Sequence, residues 1–256
     1  RENYEKIYSD IRVFLEYACL RERKFYDRTK DSLLLRLTDN TACTFSEYLE
    51  DAKEKHEGVI YYATDTALQA QYISILAAEG IKIALFDLML DSQYMTAIEQ
   101  YRDDVKFVRV DSGVADVLKN NDDSHELSDG VIALFRKIAK DEKLSVKVEA
   151  LKNEEVPALL SVSEESRRFE DMMKLYSAPG AQMPTFPLEC TLTLNSTSAL
   201  YTKLIDLIGD GEVPEDSKAY VYASFIYRLA HLSLKKLSAD ELGELLADGY
   251  KLLGMI

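Results

Sequence analysis

Between residues 57 and 112 the hydrophobic pattern changes period several times, and this alternation limits the possible folds more than any other feature of the chain. Val59-Ile-Tyr-Tyr-Ala63, Lys82-Ile-Ala-Leu-Phe86 and Val105-Lys-Phe-Val-Arg-Val110 are short runs rich in β-branched and aromatic residues, the composition of strands. The stretches between them, Thr66 to Ala78 and Ser92 to Tyr101, have helical spacing instead. Strands separated by helices cannot pair as tight hairpins. The order implies a small three-stranded parallel sheet with right-handed crossovers, and Gly80 fits the C-cap of the first crossover helix.

The flanks are of a different kind. Tyr4, Ile7, Tyr8, Ile11, Phe14 and Leu15 recur at three- and four-residue spacing, which predicts an opening amphipathic helix. A second helix is expected over Asp31 to Leu37. A third starts at Thr44, where Glu47 three residues on completes a capping box. Beyond the parallel sheet, all five prolines fall in the second half of the chain, and a polar run occupies Lys119 to Glu126. That asymmetry predicts two units joined through a linker over about 113–126. The later unit reads as mixed: a helix over Asp129–Lys140, strands over Val146–Leu151 and Ala158–Val162, and a helix from a Ser163 cap to Tyr176. A Gly/Pro-rich loop over Ser177–Pro187 and a strand over Leu188–Leu194 follow. Three helices, about Ser198–Ile208, Pro214–Leu237 and Asp240–Leu253, end the chain. Pro214 suits a first helical turn, and Ser238 with Glu241 suits a capping box.

Composition excludes several functions. A formal net charge of −14 argues against nucleic-acid binding, which needs a basic surface to neutralise phosphates. The basic island from Arg21 to Lys30 reads as a solvated helix end or loop in preference to a binding patch. No apolar run approaches the roughly 20 residues of a membrane helix, and no signal peptide is expected in Arg1-Glu2-Asn3. Cys19, Cys43 and Cys190 are few, odd in number and far apart, which suits a reducing cytoplasm. No phosphate-cradling glycine loop, dinucleotide fingerprint or HExxH helix occurs, and His56, His125 and His231 are too dispersed for a metal cluster. Neither a catalytic residue nor a metal or cofactor site is expected.

Two helical patterns carry more information. The helix from Pro214 is apolar on too many sides for a surface helix: Tyr220, Val221, Tyr222, Ala223, Phe225, Ile226, Leu229, Ala230, Leu232 and Leu234 exceed the usual stripe. The last helix carries Leu242, Leu245, Leu246, Gly249, Leu252, Leu253 and Ile256 at bundle spacing. Tyr222, Phe225, Ile226 and Leu229, with Leu242, Leu245, Leu246, Leu252 and Leu253, are therefore expected to form either an intramolecular hairpin or a dimer interface. Phe169, Met172, Met173 and Tyr176 form a second stripe, a methionine-bearing face suited either to a core or to an adaptable binding surface.

Taken together, Glu2-Asn-Tyr-Glu-Lys-Ile-Tyr8, Thr44-Phe-Ser-Glu-Tyr-Leu49, Gly58-Val-Ile-Tyr-Tyr-Ala63 and Ser163 to Tyr176 resemble the heat-shock-protein-90 family in its bacterial form. The strand over Val105 to Val110 and the strand ending at Asn195 add to the resemblance. It implies the end of a middle domain (a helical part over 1–56 and a small α/β subdomain over 57–112) followed by a C-terminal dimerisation domain over 127–256. The implied fold class is α/β and α+β, ending in a helical bundle. The family is dimeric and ATP-dependent; its ATP and Mg site and its γ-phosphate-contacting arginine loop would precede Arg1, and Met255-Ile256 in place of the acidic MEEVD ending of eukaryotic cytosolic members is expected of the bacterial form. The resemblance implies non-native client proteins as partners, with co-chaperones besides, and a cytoplasmic setting. Residue by residue, Met172, Leu175 and Tyr176 fall on client-contact positions. Arg168 stands where an apolar residue is expected, and Gln93-Tyr94 occupies a middle-domain client position where the family usually has Glu-Trp, so the resemblance implies a weakened or altered contact there. A small α/β enzyme and a purely structural dimerisation module are the other readings.

Overall fold

The computed structural model describes residues 1–118, 127–176, 189–209 and 213–255. Two compact units emerge. One contains Arg1–Val110 and the helix that begins at Glu164; the other contains Asp111–Ser163 and the strand and helices after residue 189.

The first unit contains α1 (Glu2–Arg21), α2 (Arg23–Thr29), β1 (Leu34–Arg36), β2 (Ala42–Thr44), α3 (Phe45–Ala52), β3 (Val59–Ala63), α4 (Ala70–Ala78), β4 (Ala84–Leu85), α5 (Asp91–Tyr101) and β5 (Lys106–Arg109). The expected parallel sheet is present in the order β4-β3-β5, with both pairings parallel. Crossovers α4 and α5 connect its strands. Gly80 takes φ +70 after α4, and the amides of Gly80 and Ile81 reach back to the carbonyls of Ala77 and Leu76 to close the helix. The Thr44–Glu47 capping box opens α3 as expected.

The structure corrects three sequence expectations here. Asp31–Leu37 is not a helix. Leu33, Leu34, Leu35 and Leu37 are all buried, which an extended segment covered on both sides allows, and β1 pairs antiparallel with β2. The turn between them uses Asn40 at φ 67 and Asp39, whose carboxylate accepts from the Thr41 amide and hydroxyl. In α1 the buried line is Tyr8, Arg12, Glu16 and Cys19, while Ile7 and Phe14 face outward. The residues turned inward at Arg12 and Glu16 are charged, so a search for apolar periodicity misplaces the face. Arg12 is held there by Glu16 at 2.6 Å and Asp91 at 2.7 Å, with its guanidinium 5.3 Å from the Phe86 ring centre. Finally, the third strand stops at Arg109. Residues 110–118, read as strand end and linker, form helix α6 (Val110–Leu118), whose Val110, Val114 and Leu118 are fully buried at four-residue spacing. The rest of the expected linker, 119–126, lies outside the described residues.

The second unit continues from α6 with α7 (Asp129–Ala139), β6 (Ser145–Glu149) and β7 (Ala158–Val162). After α8 (Glu164–Tyr176), which belongs to the first unit, come β8 (Cys190–Asn195), α9 (Ala199–Ile208), α10 (Lys218–Leu232) and α11 (Ala239–Leu253). Its sheet is mixed: β8 is central, parallel to β6 and antiparallel to β7. Thr193 is fully buried, as a side chain on the central strand can be. Helix α10 begins at Lys218 rather than near Pro214. Ser217 caps it by accepting from the Tyr220 amide, and the Pro214 carbonyl closes the preceding turn. The Ser238–Glu241 capping box opens α11 as expected. The core joins Phe135, Leu144, Leu192, Leu194, Leu204 and Ala223. The expected loop over 177–187 and the start of the last strand at Leu188 lie outside the described residues.

Candidate functional site

Helix α8 supplies the first candidate surface. Glu164 and Glu165 in its first turn suit the positive end of the helix dipole. One side of the helix is tied down by charge. Arg168 forks onto Glu99 of α5, with Nη2 2.9 Å from Oε1 and Nη1 bonded to Oε2, and it also donates to Glu164 and to the Phe107 carbonyl. Burial works against the Arg168 charge, but the hydrogen bonds to Glu99 and Glu164 hold its pKa above the ordinary value. Glu164 accepts in turn from the Tyr62 hydroxyl at 2.9 Å and the Arg109 amide at 2.9 Å. Burial, followed by the Glu164 charge, keeps the Tyr62 phenol protonated.

On another side of α8, Phe169 is 42% exposed and Met172 is 45% exposed, with Met173 half-buried. These are three members of the methionine stripe. The side chains of its fourth member, Tyr176, and of Leu175, the other expected client-contact position, lie outside the described residues. Tyr94, expected at a client-facing position, is buried in the core of the first unit, and burial pushes its hydroxyl far up.

The second surface lies on α10 and α11, which pack closely enough that a Cβ on Gly249 would sit 3.2 Å from Phe225. Arg228 joins the pair: its Nε donates to Ser224 at 3.1 Å and Asp248 at 3.0 Å, and its Nη1 to Glu244. Of the expected interface residues, Tyr222, Ile226 and Leu245 are buried within their own unit, and Phe225 and Leu252 are half-buried. Leu229, Leu242, Leu246 and Leu253 are exposed, the last two at 48% and 69%. Leu232 and Tyr250 add to this apolar surface.

Sequence reasoning missed the Arg168 network, although an arginine at an expected apolar position was its signal. It also missed the exposed Leu88-Met89 pair ahead of α5. No helix among the described residues is long and apolar enough to cross a membrane. The thiols of Cys19 and Cys43 are both pushed up to about 11 by burial, a state unsuited to nucleophilic attack.

No family model matches the chain. Individual chaperones do. The chaperone protein HtpG of Porphyromonas gingivalis is 31% identical over 232 residues, 85% of this chain and 33% of that protein. HtpG of Bacteroides thetaiotaomicron is 28% identical over 222 residues, 80% of this chain and 32% of that protein. The chain belongs to the HtpG-type heat-shock-protein-90 family. It spans about a third of the length of the curated relatives it matches.

Proposed function

We propose that this chain serves a chaperone by holding non-native polypeptide on α8 and by associating with a second copy through α10 and α11. The observation that carries the reading is the outward position of Phe169 and Met172 on a helix whose other side is fixed by ion pairs. A deformable thioether beside an aromatic ring suits apolar segments of varied shape, as an unfolded client presents. In the same proposal, ATP and Mg act outside this chain in an ATP-driven cycle in the cytoplasm, and co-chaperones are further partners. Leu229, Leu242, Leu246 and Leu253 support twofold association, because an apolar stripe of this kind favours a matching surface.

The enzyme reading has less support. A parallel α/β sheet usually binds small ligands beyond the carboxyl ends of its strands. Here Glu164 of α8 bonds to Tyr62 and Arg109 at that end of β3 and β5.

The test is Phe169→Ala with Met172→Ala. Both side chains are already partly solvated, so each truncation should cost less than the roughly 2–5 kcal/mol of a buried-core truncation. Affinity for reduced, carboxymethylated lactalbumin, which stays unfolded, should fall several-fold, with no binding to native lactalbumin in either protein. Unchanged affinity, or a loss of stability on the scale of a core truncation, would return the stripe to a structural role.

A further inference from the structure

Strand β5 is an edge strand, since the sheet order is β4-β3-β5. Its Lys106 amide donates inward to the Gly58 carbonyl of the segment leading into β3, so the amides of Phe107 and Arg109 and the carbonyl of Phe107 point outward. An open edge of this kind is a template for another strand and is usually blocked in native proteins. Here side chains block it. Glu99 accepts from the Phe107 amide at 2.8 Å, Glu164 from the Arg109 amide at 2.9 Å, and Arg168 donates to the Phe107 carbonyl at 3.1 Å. Arg168 also bridges the two carboxylates, so one guanidinium offsets part of the charge of both capping acids and holds them together.

We propose that Arg168 is a positioning residue, a latch that pins α8 across the open edge of β5 and thereby fixes Phe169 and Met172 outward. An apolar residue at this place could pack against the sheet, but it could neither donate to the strand carbonyl nor hold Glu99 and Glu164 together. The latch gives α8 two linked tasks. It presents the apolar face, and it denies the β5 edge to extended chains. Its effect on client holding rests on the proposed function; its closure of the strand edge does not.

The experiment compares the full chain with Arg168→Ala, Arg168→Lys and the charge exchange Arg168→Glu/Glu99→Arg. Two quantities are read: hydrogen exchange at individual amides and affinity for reduced, carboxymethylated lactalbumin. Losing charge-assisted bonds at the edge should raise exchange at Phe107 and Arg109 by about tenfold or more, while the Ile60 amide of central β3 stays protected. Affinity should fall several-fold. Lysine, a point charge without the fork, should recover part of both effects, whereas the charge exchange should recover neither, because it removes the acceptor of the Phe107 amide and the donor to the Phe107 carbonyl. Protection at Phe107 and Arg109 that survives Arg168→Ala would overturn the latch. So would faster exchange with full affinity for the unfolded protein, provided that Phe169→Ala/Met172→Ala lowers it. If that double variant binds normally and the edge amides still open without Arg168, the latch stands and the client-holding reading fails.

Discussion

Replacing Arg12 by Ala should be among the most damaging single changes in the first unit. Its guanidinium donates to Glu16 at 2.6 Å, to Asp87 at 3.1 Å and to the Leu85 carbonyl at 3.2 Å, and pairs with Asp91 at 2.7 Å. Glu16 and Asp91 are nearly inaccessible to water, at 2% and 3% exposure. Without Arg12 both must stay protonated or remain charged without a partner. Breaking a buried pair of this kind costs about 3–5 kcal/mol, which lowers the melting temperature of a unit this size by roughly 10–20 °C. Near-UV circular dichroism follows the loss well, because Tyr8, Tyr26, Tyr48, Tyr62, Tyr72 and Tyr94 are all buried in this unit. A fall of less than about 5 °C would refute the argument that the Arg12 charge is integral to the core.

The same cluster fixes the sign of a pH effect. Burial, opposed by Arg12 and reinforced by the Asp91 charge, holds Glu16 above the ordinary carboxylate range. Tyr8, Cys19 and Tyr94 also face Glu16, but burial keeps each of them protonated at neutral pH. Asp87 and Arg36 complete the charged surroundings. An acid with a raised native pKa binds more protons folded than unfolded. Stability from Glu16 is therefore greatest near and below about pH 4, where unfolded carboxyls titrate, and declines as pH rises toward neutrality and beyond. Glu16→Gln mimics the protonated form and should flatten that decline. A variant with the wild-type slope would show that the proton is not held there.

Two further outcomes follow from the second unit. Leu246→Glu with Leu253→Glu should leave the unit folded, within about 0.5 kcal/mol per site, yet shift sedimentation to monomer, whereas Leu245→Glu should unfold it because that side chain is already buried; an unchanged dimer would exclude this face. Asn195→Ala should cost on the order of 3 kcal/mol in a urea titration, because the buried amide accepts from Leu151 and Thr197 and donates to the Asn153 and Val156 carbonyls; a change within experimental error would mean that water replaces those bonds.

What the sequence made legible follows from how far each determining interaction reaches. The capping boxes at Thr44 and Ser238 span three residues, so residue identity alone predicted them. The parallel sheet was legible because strands β3 and β5, with helices between them, each carry their own pattern. The β1–β2 hairpin was not read, although Thr38-Asp-Asn-Thr41 is a turn sequence, because four closely spaced leucines looked helical without knowledge of burial on both faces. Helix α6 was hidden because Val110 continues the β-branched pattern of the strand before it. Charge was the least legible determinant. Arg12 and Arg168 each look like ordinary solvated helix residues until the fold brings Asp91 to one and Glu99 to the other, from far away in sequence. Periodicity reports where apolar surface is covered by any neighbour, but a buried ion pair depends on one particular neighbour. Both pairs that define the first unit, the core around Arg12 and the α8 anchor at Arg168, are of the second kind.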